Sequence, residues 1–254
     1  MKVFNHYAKF YDALYHNKDY QKECDYLQKI FKKYSSKKIK AVLDLGCGTA
    51  NHDLILARRS FKITGVDFSQ NMLRIARKKA QAGKLKIDFY KGDIRKINLK
   101  KKFDAVISMF NVMGYQKNNE DFEQALLTAN KHLKKDGLFV FDIWFGPAVL
   151  ADKPKNKVKK VEMKNGYIIR KTESRFNLLK QSLGIFFQTK YYSVAGKLLQ
   201  QNKELHQMRF FFPQEIKYFL EKTKFELIGI HPFLKMTGKP SEKEWDITVI
   251  AGKI

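Results

Sequence analysis

The stretch Val42-Leu43-Asp44-Leu45-Gly46-Cys47-Gly48-Thr49 narrows the folds open to this chain more than any other. Its apolar run reads as a strand buried on both faces, and two glycines one residue apart let the backbone turn tightly at the strand's end. A strand without a polar face has to be covered on both sides, which helices alternating with strands provide. The first 150 residues carry that alternation. Tyr20, Cys24, Leu27, Ile30 and Phe31 recur at helical spacing between about Asp19 and Tyr34. The pattern predicts a second helix over Asn51 to Arg59, a strand from Lys62 to Val66 stopping at Asp67, and a third helix capped by Ser69. Ile87 to Tyr90 and Phe103 to Met109 read as strands. A helix from about Glu120 to Leu133 precedes the turn signal Lys135-Asp136-Gly137 and the apolar strand Leu138 to Ile143. The expected class is α/β, with a parallel sheet covered on both faces.

The pattern changes after Pro147. Residues 151–160 are rich in lysine and read as a linker, and from Val161 to Phe212 the periodicity is two-fold. Asn165-Gly166 is a hairpin signal, and a second turn lies near Ala195-Gly196, between Ile185 to Tyr192 and Leu205 to Phe212. Pro213 opens a helix at its first turn, and Phe225 to Ile230 and Thr248 to Ala251 close the chain as strands. The expected organisation is a single domain over residues 1–254, with residues 158–212 inserted as a small antiparallel β lid.

Chemistry concentrates at the ends of the strands. The glycine pair starts like a dinucleotide-binding fingerprint, G-x-G-x-x-G, but Asn51 holds the third position. Asp67 follows Gly48 by nineteen residues at the end of the next strand, where a carboxylate accepts both hydroxyls of a ribose. Asp93, after the third strand, is placed to accept from an adenine amino group, with Ile94 packing beside the ring. Asp44 either faces the ligand or braces the glycine loop. His6, His16 and His231 read as surface or loop residues, and no metal site is expected.

Taken in order, VLDLGCGTA, GVDFS with Met72 shortly after, KGDIR and LKKDGLFVFD resemble the motif series of class I S-adenosylmethionine-dependent methyltransferases. The resemblance covers roughly 41–143 and the C-terminal WDITVIAGK. It implies a Rossmann-like fold, a seven-stranded mostly parallel sheet whose last strand is antiparallel, and S-adenosyl-L-methionine as cofactor. It places Asp44, Gly46 and Gly48 at the methionine moiety, Asp67 at the ribose, Phe68 and Met72 at the adenine, Asp93 and Ile94 at the adenine edge, and Met109 beside the sulfonium. FYDALYHNKDY, SMFNVMGY and the β-rich insertion are also similar to the N,N-dimethyltransferases of nucleotide-linked amino sugars. That likeness sets Tyr11 near the cofactor; Tyr20 is a further cofactor candidate, and Tyr7 and Trp144 are the acceptor candidates. Tyr115 and Asp142, at strand ends on the ligand side, are the catalytic candidates. Where the sugar enzymes carry histidine after the S-x-G segment this chain has Tyr115, and Trp245 or Asp246 stands where they carry a basic residue. Proton removal is then left to water, or to Tyr115 as an acceptor near the amine.

Charge keeps a second class of acceptor open. Fifty Lys and Arg residues against twenty-five acidic ones give +25, which suits nucleic acid or a phosphorylated ligand. Only eight of the fifty are arginine, the residue that base and phosphate readers favour, and the lysines form no stripe with aromatics. A solvated lysine-rich surface is the plainer explanation. A small-molecule methyltransferase, most simply one acting on the amine of a nucleotide-linked amino sugar, is the leading expectation. A nucleic-acid methyltransferase, a small-molecule O-methyltransferase, and a non-catalytic or NAD-binding protein are the alternatives. Two cysteines exclude a disulfide framework, no apolar run reaches the length of a membrane span, and a cytoplasmic monomer or homodimer is expected.

Overall fold

The computed structural model describes Phe4 and residues 7–254; His6 lies outside the described residues. Helix α1 (Ala8–Leu14) is followed by α2 (Tyr20–Tyr34), then by alternating strands and helices: β1 (Ala41–Leu45), α3 (Asn51–Arg58), β2 (Lys62–Asp67), α4 (Gln70–Ala82), β3 (Asp88–Lys91) and β4 (Phe103–Ser108). A 3-10 turn at Met113–Tyr115 leads to α5 (Asn119–His132), β5 (Leu133–Trp144) and α6 (Gly146–Ala151). Strands β6 (Lys157–Met163), β7 (Gly166–Asn177), β8 (Ser182–Tyr192) and β9 (Leu198–Arg209) precede α7 (Pro213–Lys222), β10 (Phe225–Pro232) and β11 (Asp246–Lys253).

The main sheet runs β10-β11-β5-β4-β1-β2-β3. Strands β1 to β5 pair in parallel, while β11 lies antiparallel between β10 and β5. Strand periodicity sorts its apolar residues to two faces. Leu43, Val106, Phe139, Phe141 and Val249 pack with Phe122, Leu126, Ile216 and Leu220 of α5 and α7. Val42, Ala105, Ile107, Val140 and Ile250 pack on the other face with Leu27, Ile30, Ile55 and Leu56 of α2 and α3. All of these are buried, and each large side chain among them contributes about 1.5–3 kcal/mol relative to exposure. The helices start where short polar side chains cap them: Asp19, Ser69 and Asn118 accept from the backbone N–H of Lys22, Met72 and Asp121.

The second sheet is a four-stranded antiparallel meander, β6-β7-β8-β9. Asn165 and Gly166 do mark the β6–β7 hairpin, Gly166 with φ +142°. The sheet is tied to the end of β5 by Phe211 N–H donating to the Trp144 carbonyl (3.0 Å) and Gly146 N–H to that of Phe211 (2.8 Å). Helix α1 joins it to the main sheet, with Tyr7, Phe10 and Leu14 buried against Val161 and Ile168.

Two expectations shift: residues 157–160 of the expected linker already pair in β6, and the expected turn at 135–137 is part of a strand. Lys135-Asp136-Gly137 is no turn between elements but lies within β5, where Asp136 takes φ +63° and the β4–β5 register slips. The left-handed residue is absorbed as an irregularity of a paired strand. The short helices α1 and α6 were not legible as periodicity, because six or seven residues span barely two helical turns.

Candidate active site

A cavity of about 700 Å³ opens at the carboxyl ends of β1, β2, β4 and β5, bounded by α1 and by the second sheet. This is where open α/β sheets bind ligands. Tyr7, Tyr11, Tyr20, Gly46, Gly48, Asp67, Phe68, Met72, Asp93, Ile94, Met109, Tyr115, Asp142 and Trp144 all line it. Of the residues singled out from the sequence, only Asp44 does not.

The glycine turn forms one end. Gly46 and Cys47 both donate their N–H to the Val66 carbonyl, at 2.7 and 3.0 Å, which folds the loop back over β2. Gly46 sits at φ +96°, and a Cβ there would lie 2.4 Å from Val112 Cγ1. Gly48 is at φ +55° with nothing within 4 Å of its Cβ position, so bare backbone faces the open cavity. Beneath the loop, Asp44 is buried against Asp53, with Asp44 Oδ1 and both Asp53 oxygens lacking a donor. Burial holds the proton on these carboxyls, pushing Asp53 up to about 7 and Asp44 upward too. Asp44 is therefore a buried neighbour of Asp53 and not part of the cavity wall.

Asp67 ends β2 and reaches over the turn. Its Oδ2 accepts from Gly48 N–H (2.8 Å) and its Oδ1 from Ser69 N–H (2.7 Å). Burial raises its carboxyl and those two bonds oppose the shift. Phe68 beside it is 65% exposed at the rim. Asp93 is gripped by Arg95 Nε and Nη2, at 2.9 and 2.6 Å, and Arg95 Nη1 holds Asp121 at 2.5 Å. That guanidinium keeps the Asp93 carboxyl below the usual range. Arg95 stands inside the KGDIR motif, yet its clamp depends on Asp121 from α5, which no local pattern announces.

The opposite end is built by the segment after β4. Phe110 and Asn111 have φ of +71° and +54°, two consecutive left-handed residues of a kind that cost about 1–3 kcal/mol each unless the surroundings impose them. The fold imposes them here: Asn111 N–H donates to Asp142 Oδ2 (2.9 Å), and a Cβ on Gly114 would sit 2.5 Å from Asn111 Oδ1. Asn111 Oδ1 and Nδ2 and Asp142 Oδ1 are buried without partners on the cavity wall. Buried polar atoms of this sort mark a place for a ligand's polar groups. Burial pushes Asp142 up to about 8, helped by neighbouring Asp246 and opposed by Lys18. Asp246, also lining the cavity, is raised by burial to about 6.

The roof is aromatic. Tyr7 stacks on Phe187 of β8 (5.7 Å), and its hydroxyl accepts from Arg170 of β7 (2.7 Å). Tyr11 packs on Tyr15 and Phe110, and Trp144 on Trp245. Burial drives the phenols of Tyr7, Tyr11, Tyr20 and Tyr115 above their ordinary range. The Tyr115 hydroxyl lies 2.7 Å from His206 Nδ1.

Several residues here carried no sequence signal. Lys18 sits over the Phe110 ring (4.3 Å) and pairs with Glu23, which also meets His52 Nε2 at 2.6 Å. Burial pushes Glu23 up, but His52 and Lys18 outweigh it and hold its carboxyl low. Asn51, in place of the third glycine, donates to Asp12 (3.1 Å) and accepts from Lys79 (2.5 Å), while Thr49 Oγ1 donates to Asp12 (2.6 Å). This network fastens α1 across the glycine turn, an alternative to the close helix–strand approach that a third glycine serves.

Residues 42–137 match the family model described as a methyltransferase domain. A Geobacillus sp. protein is 33% identical over 141 residues, covering 56% of this chain and 57% of its own length. The dTDP-3-amino-3,4,6-trideoxy-alpha-D-glucopyranose N,N-dimethyltransferase of Streptomyces venezuelae is 31% identical over 148 residues, covering 58% of this chain and 60% of that enzyme. The matched stretch thus spans somewhat more than half the length of these curated relatives. Among solved structures, an S-adenosylmethionine-dependent methyltransferase from Clostridium acetobutylicum superposes with a TM-score of 0.83 at 22% identity over 99% of both chains. DesVI from Streptomyces venezuelae gives 0.80 at 22% identity over 98% of this chain and 99% of that one. The fold is therefore the mostly parallel α/β fold of those methyltransferases, with the antiparallel insertion included.

Proposed function

We propose, for a chain that carries a methyltransferase domain over residues 42–137, that it moves the methyl group of S-adenosylmethionine to the amine of a nucleotide-linked amino sugar. One observation carries this reading. A single cavity of about 700 Å³ has an open-backbone glycine turn and Asp67 at one end, and at the other the unpartnered Asp142 Oδ1 under an aromatic roof. That volume suits a cofactor-sized ligand with a small acceptor beside it. The amino-sugar dimethyltransferase at 31% identity supports the choice of acceptor.

The residues present fit the cofactor. Asp67 is placed for the ribose hydroxyls, Gly46 and Gly48 for the methionine end, Phe68, Met72 and Ile94 for the adenine with Asp93 at its edge, and Met109 with Tyr11 and Tyr20 for the region between. When bound, S-adenosylmethionine supplies a methyl group already activated by its sulfonium. The protein's share is positioning, which can contribute about 7–11 kcal/mol, and exclusion of water by the aromatic roof. At the acceptor end, Asp142 is held neutral by burial at ordinary pH. The charge of an entering ammonium ion would favour ionised Asp142, whose Oδ1 would then accept from it, and Tyr7 and Trp144 would flank the sugar.

The test is a methyl-transfer assay with thymidine-diphosphate amino sugars and their hydroxyl analogues, run beside calorimetric titration of S-adenosylhomocysteine. Transfer to nitrogen with cofactor binding is expected. Transfer only to oxygen, or to no amino sugar, would refute the acceptor, and absence of S-adenosylhomocysteine binding would refute the cofactor.

A further inference from the structure

Strand β9 is patterned the wrong way round for a sheet that merely covers a core. Glu204 (5%), His206 (1%) and Met208 (7%) are buried on its inner side, whereas Leu205 between them is 43% exposed. Burying a carboxylate and an imidazole while exposing a leucine costs stability unless the polar pair is used. His206 lines the cavity already described, and its neighbours are aromatic. Phe187 of β8 lies 4.8 Å from the His206 ring, Phe4 at 5.1 Å and Tyr7 at 6.0 Å.

We propose that Tyr115, His206 and Glu204 form a relay that withdraws the proton from the acceptor amine, with the histidine supplied by the second sheet. The inference rests on the amine-acceptor reading above. The three side chains are consecutive. Tyr115 Oη is 2.7 Å from His206 Nδ1, and His206 Nε2 is 3.3 Å from Glu204 Oε2, an ion-pair distance at which Nε2 is left without a hydrogen-bond partner. Glu204 is fixed in turn by the backbone N–H groups of Phe4 (2.9 Å) and Tyr7 (3.4 Å), so the entrance of α1 sets the far end of the line. The carboxylate beside Nε2 favours the tautomer that carries its proton there, which leaves Nδ1 free to accept from the Tyr115 hydroxyl. Tyr115 and His206 both line the cavity, while Glu204 does not.

The proton balance is simple. An N–H proton of the bound ammonium passes to Tyr115 Oη as the Tyr115 proton passes to His206 Nδ1. This leaves a neutral amine with a free lone pair, an intact phenol, and an imidazolium whose charge Glu204 offsets. The imidazolium returns its proton to solvent when the site opens. Tyr115 by itself would be a poor base, since burial drives its phenol further above the ordinary range. A relay needs no free phenolate, because the hydroxyl gains one proton as it yields another. Tyr115 would touch the acceptor and is the catalytic residue of the three; His206 and Glu204 act through it.

Among the described residues, the titratable groups facing the His206 ring are Tyr115 from the 3-10 turn, Tyr7 ahead of α1 and Glu204 on its own strand; β8 contributes the uncharged Phe187. The test compares Tyr115→Phe, His206→Gln and the double variant. General acid–base groups of this kind contribute roughly a hundredfold or more, so each single variant should lose about that much kcat at pH 7 while S-adenosylhomocysteine affinity holds. The double variant should be no slower than either single one, because one broken link stops the line. The deficit should close as pH rises toward the amine's own pKa, where the ammonium loses its proton unaided; a merely structural defect would persist. Losses that multiply in the double variant, or a deficit constant with pH, would overturn the relay. Nitrogen-15 shifts of His206 give a readout independent of turnover: Nε2-protonated in the wild type, with Nδ1 moving in Tyr115→Phe. Failure of the wild type to methylate any amine would defeat the acceptor assignment. A proton on Nδ1, or shifts indifferent to Tyr115→Phe, would defeat the relay whatever the acceptor proves to be.

Discussion

Asp67 is half-buried and Asp142 fully buried, and the two carboxyls, with opposite local bonding, lead to different expectations. Both Asp67 oxygens accept backbone N–H groups, from Gly48 and Ser69, so the side chain shapes the turn as well as offering its remaining lone pairs to a ribose. Asp67→Ala should weaken S-adenosylhomocysteine binding by about 1.5–3 kcal/mol, the range for bonds to a charged group, measured by titration calorimetry. Unchanged affinity would remove the ribose assignment. Asp142 keeps its proton up to about pH 8 in the folded chain, whereas an unfolded aspartate releases it near about 3.9. Between those values the native state binds more protons than the unfolded one. Its contribution is therefore intact below about pH 4 and is lost as pH rises through about 8. Asp142→Asn cannot ionise and still offers an acceptor to Asn111 N–H. The variant should match the wild type in melting temperature near pH 4 and exceed it by several degrees near pH 9. A shift equal at both pH values would show that the proton is not the cause.

At the scale of elements, the glycine turn makes two similar residues fail differently. Gly46→Ala would force a Cβ to within 2.4 Å of Val112 and retain a left-handed φ, so thermal unfolding should report a loss of folding stability that Val112→Ala relieves in part. Gly48→Ala has room for its methyl group and carries only the backbone cost of about 1–2 kcal/mol, but the methyl projects where a ligand is expected. That variant should fold and lose cofactor affinity. Equal behaviour of the two in melting and in titration would contradict this division of labour. Strand β9 teaches a related lesson. Read from the sequence, Leu205 to Phe212 is a strand with no assigned inner face; the structure turns Leu205 out and Glu204 and His206 in. Period-two alternation fixes which residues share a face but leaves open which face is buried, and a one-residue choice inverts it.

At the scale of the whole molecule, the charge of +25 is divided by residue type. Arg59, Arg95, Arg170 and Arg209 are bonded within the chain, to Gln28, Asp93, Tyr7 and Asn119 among others. With Arg74 on Asn71 and Arg77 on the Phe89 carbonyl, six of the eight residues best suited to reading phosphates or bases are already engaged. Mobility-shift assays with RNA and duplex DNA should show a complex at low salt that dissolves near ~0.15 M, as expected of lysine-phosphate attraction alone. A complex that survives there, with sequence preference, would turn the acceptor assignment toward nucleic acid.

The sequence by itself determined the α/β class, the order of strands and helices from α2 through β5, and fourteen of the residues that line the cavity. These follow from local rules: apolar runs long enough to name strands, side chains that cap helices, and glycines and carboxylates fixed at strand ends by spacing. Only the tertiary structure decided that Asp44 is a buried neighbour of Asp53, that Asp93 is held by Arg95 and Asp121, that Asn51 takes part in a network with Asp12 and Lys79, and that His206 meets Tyr115. Arg95 with Asp121, Asn51 with Asp12 and Lys79, and Tyr115 with His206 each join residues from separate elements, 91 positions apart for the last pair. Periodicity carries no information across such distances, because what brings the partners together is the packing of one sheet over the end of another.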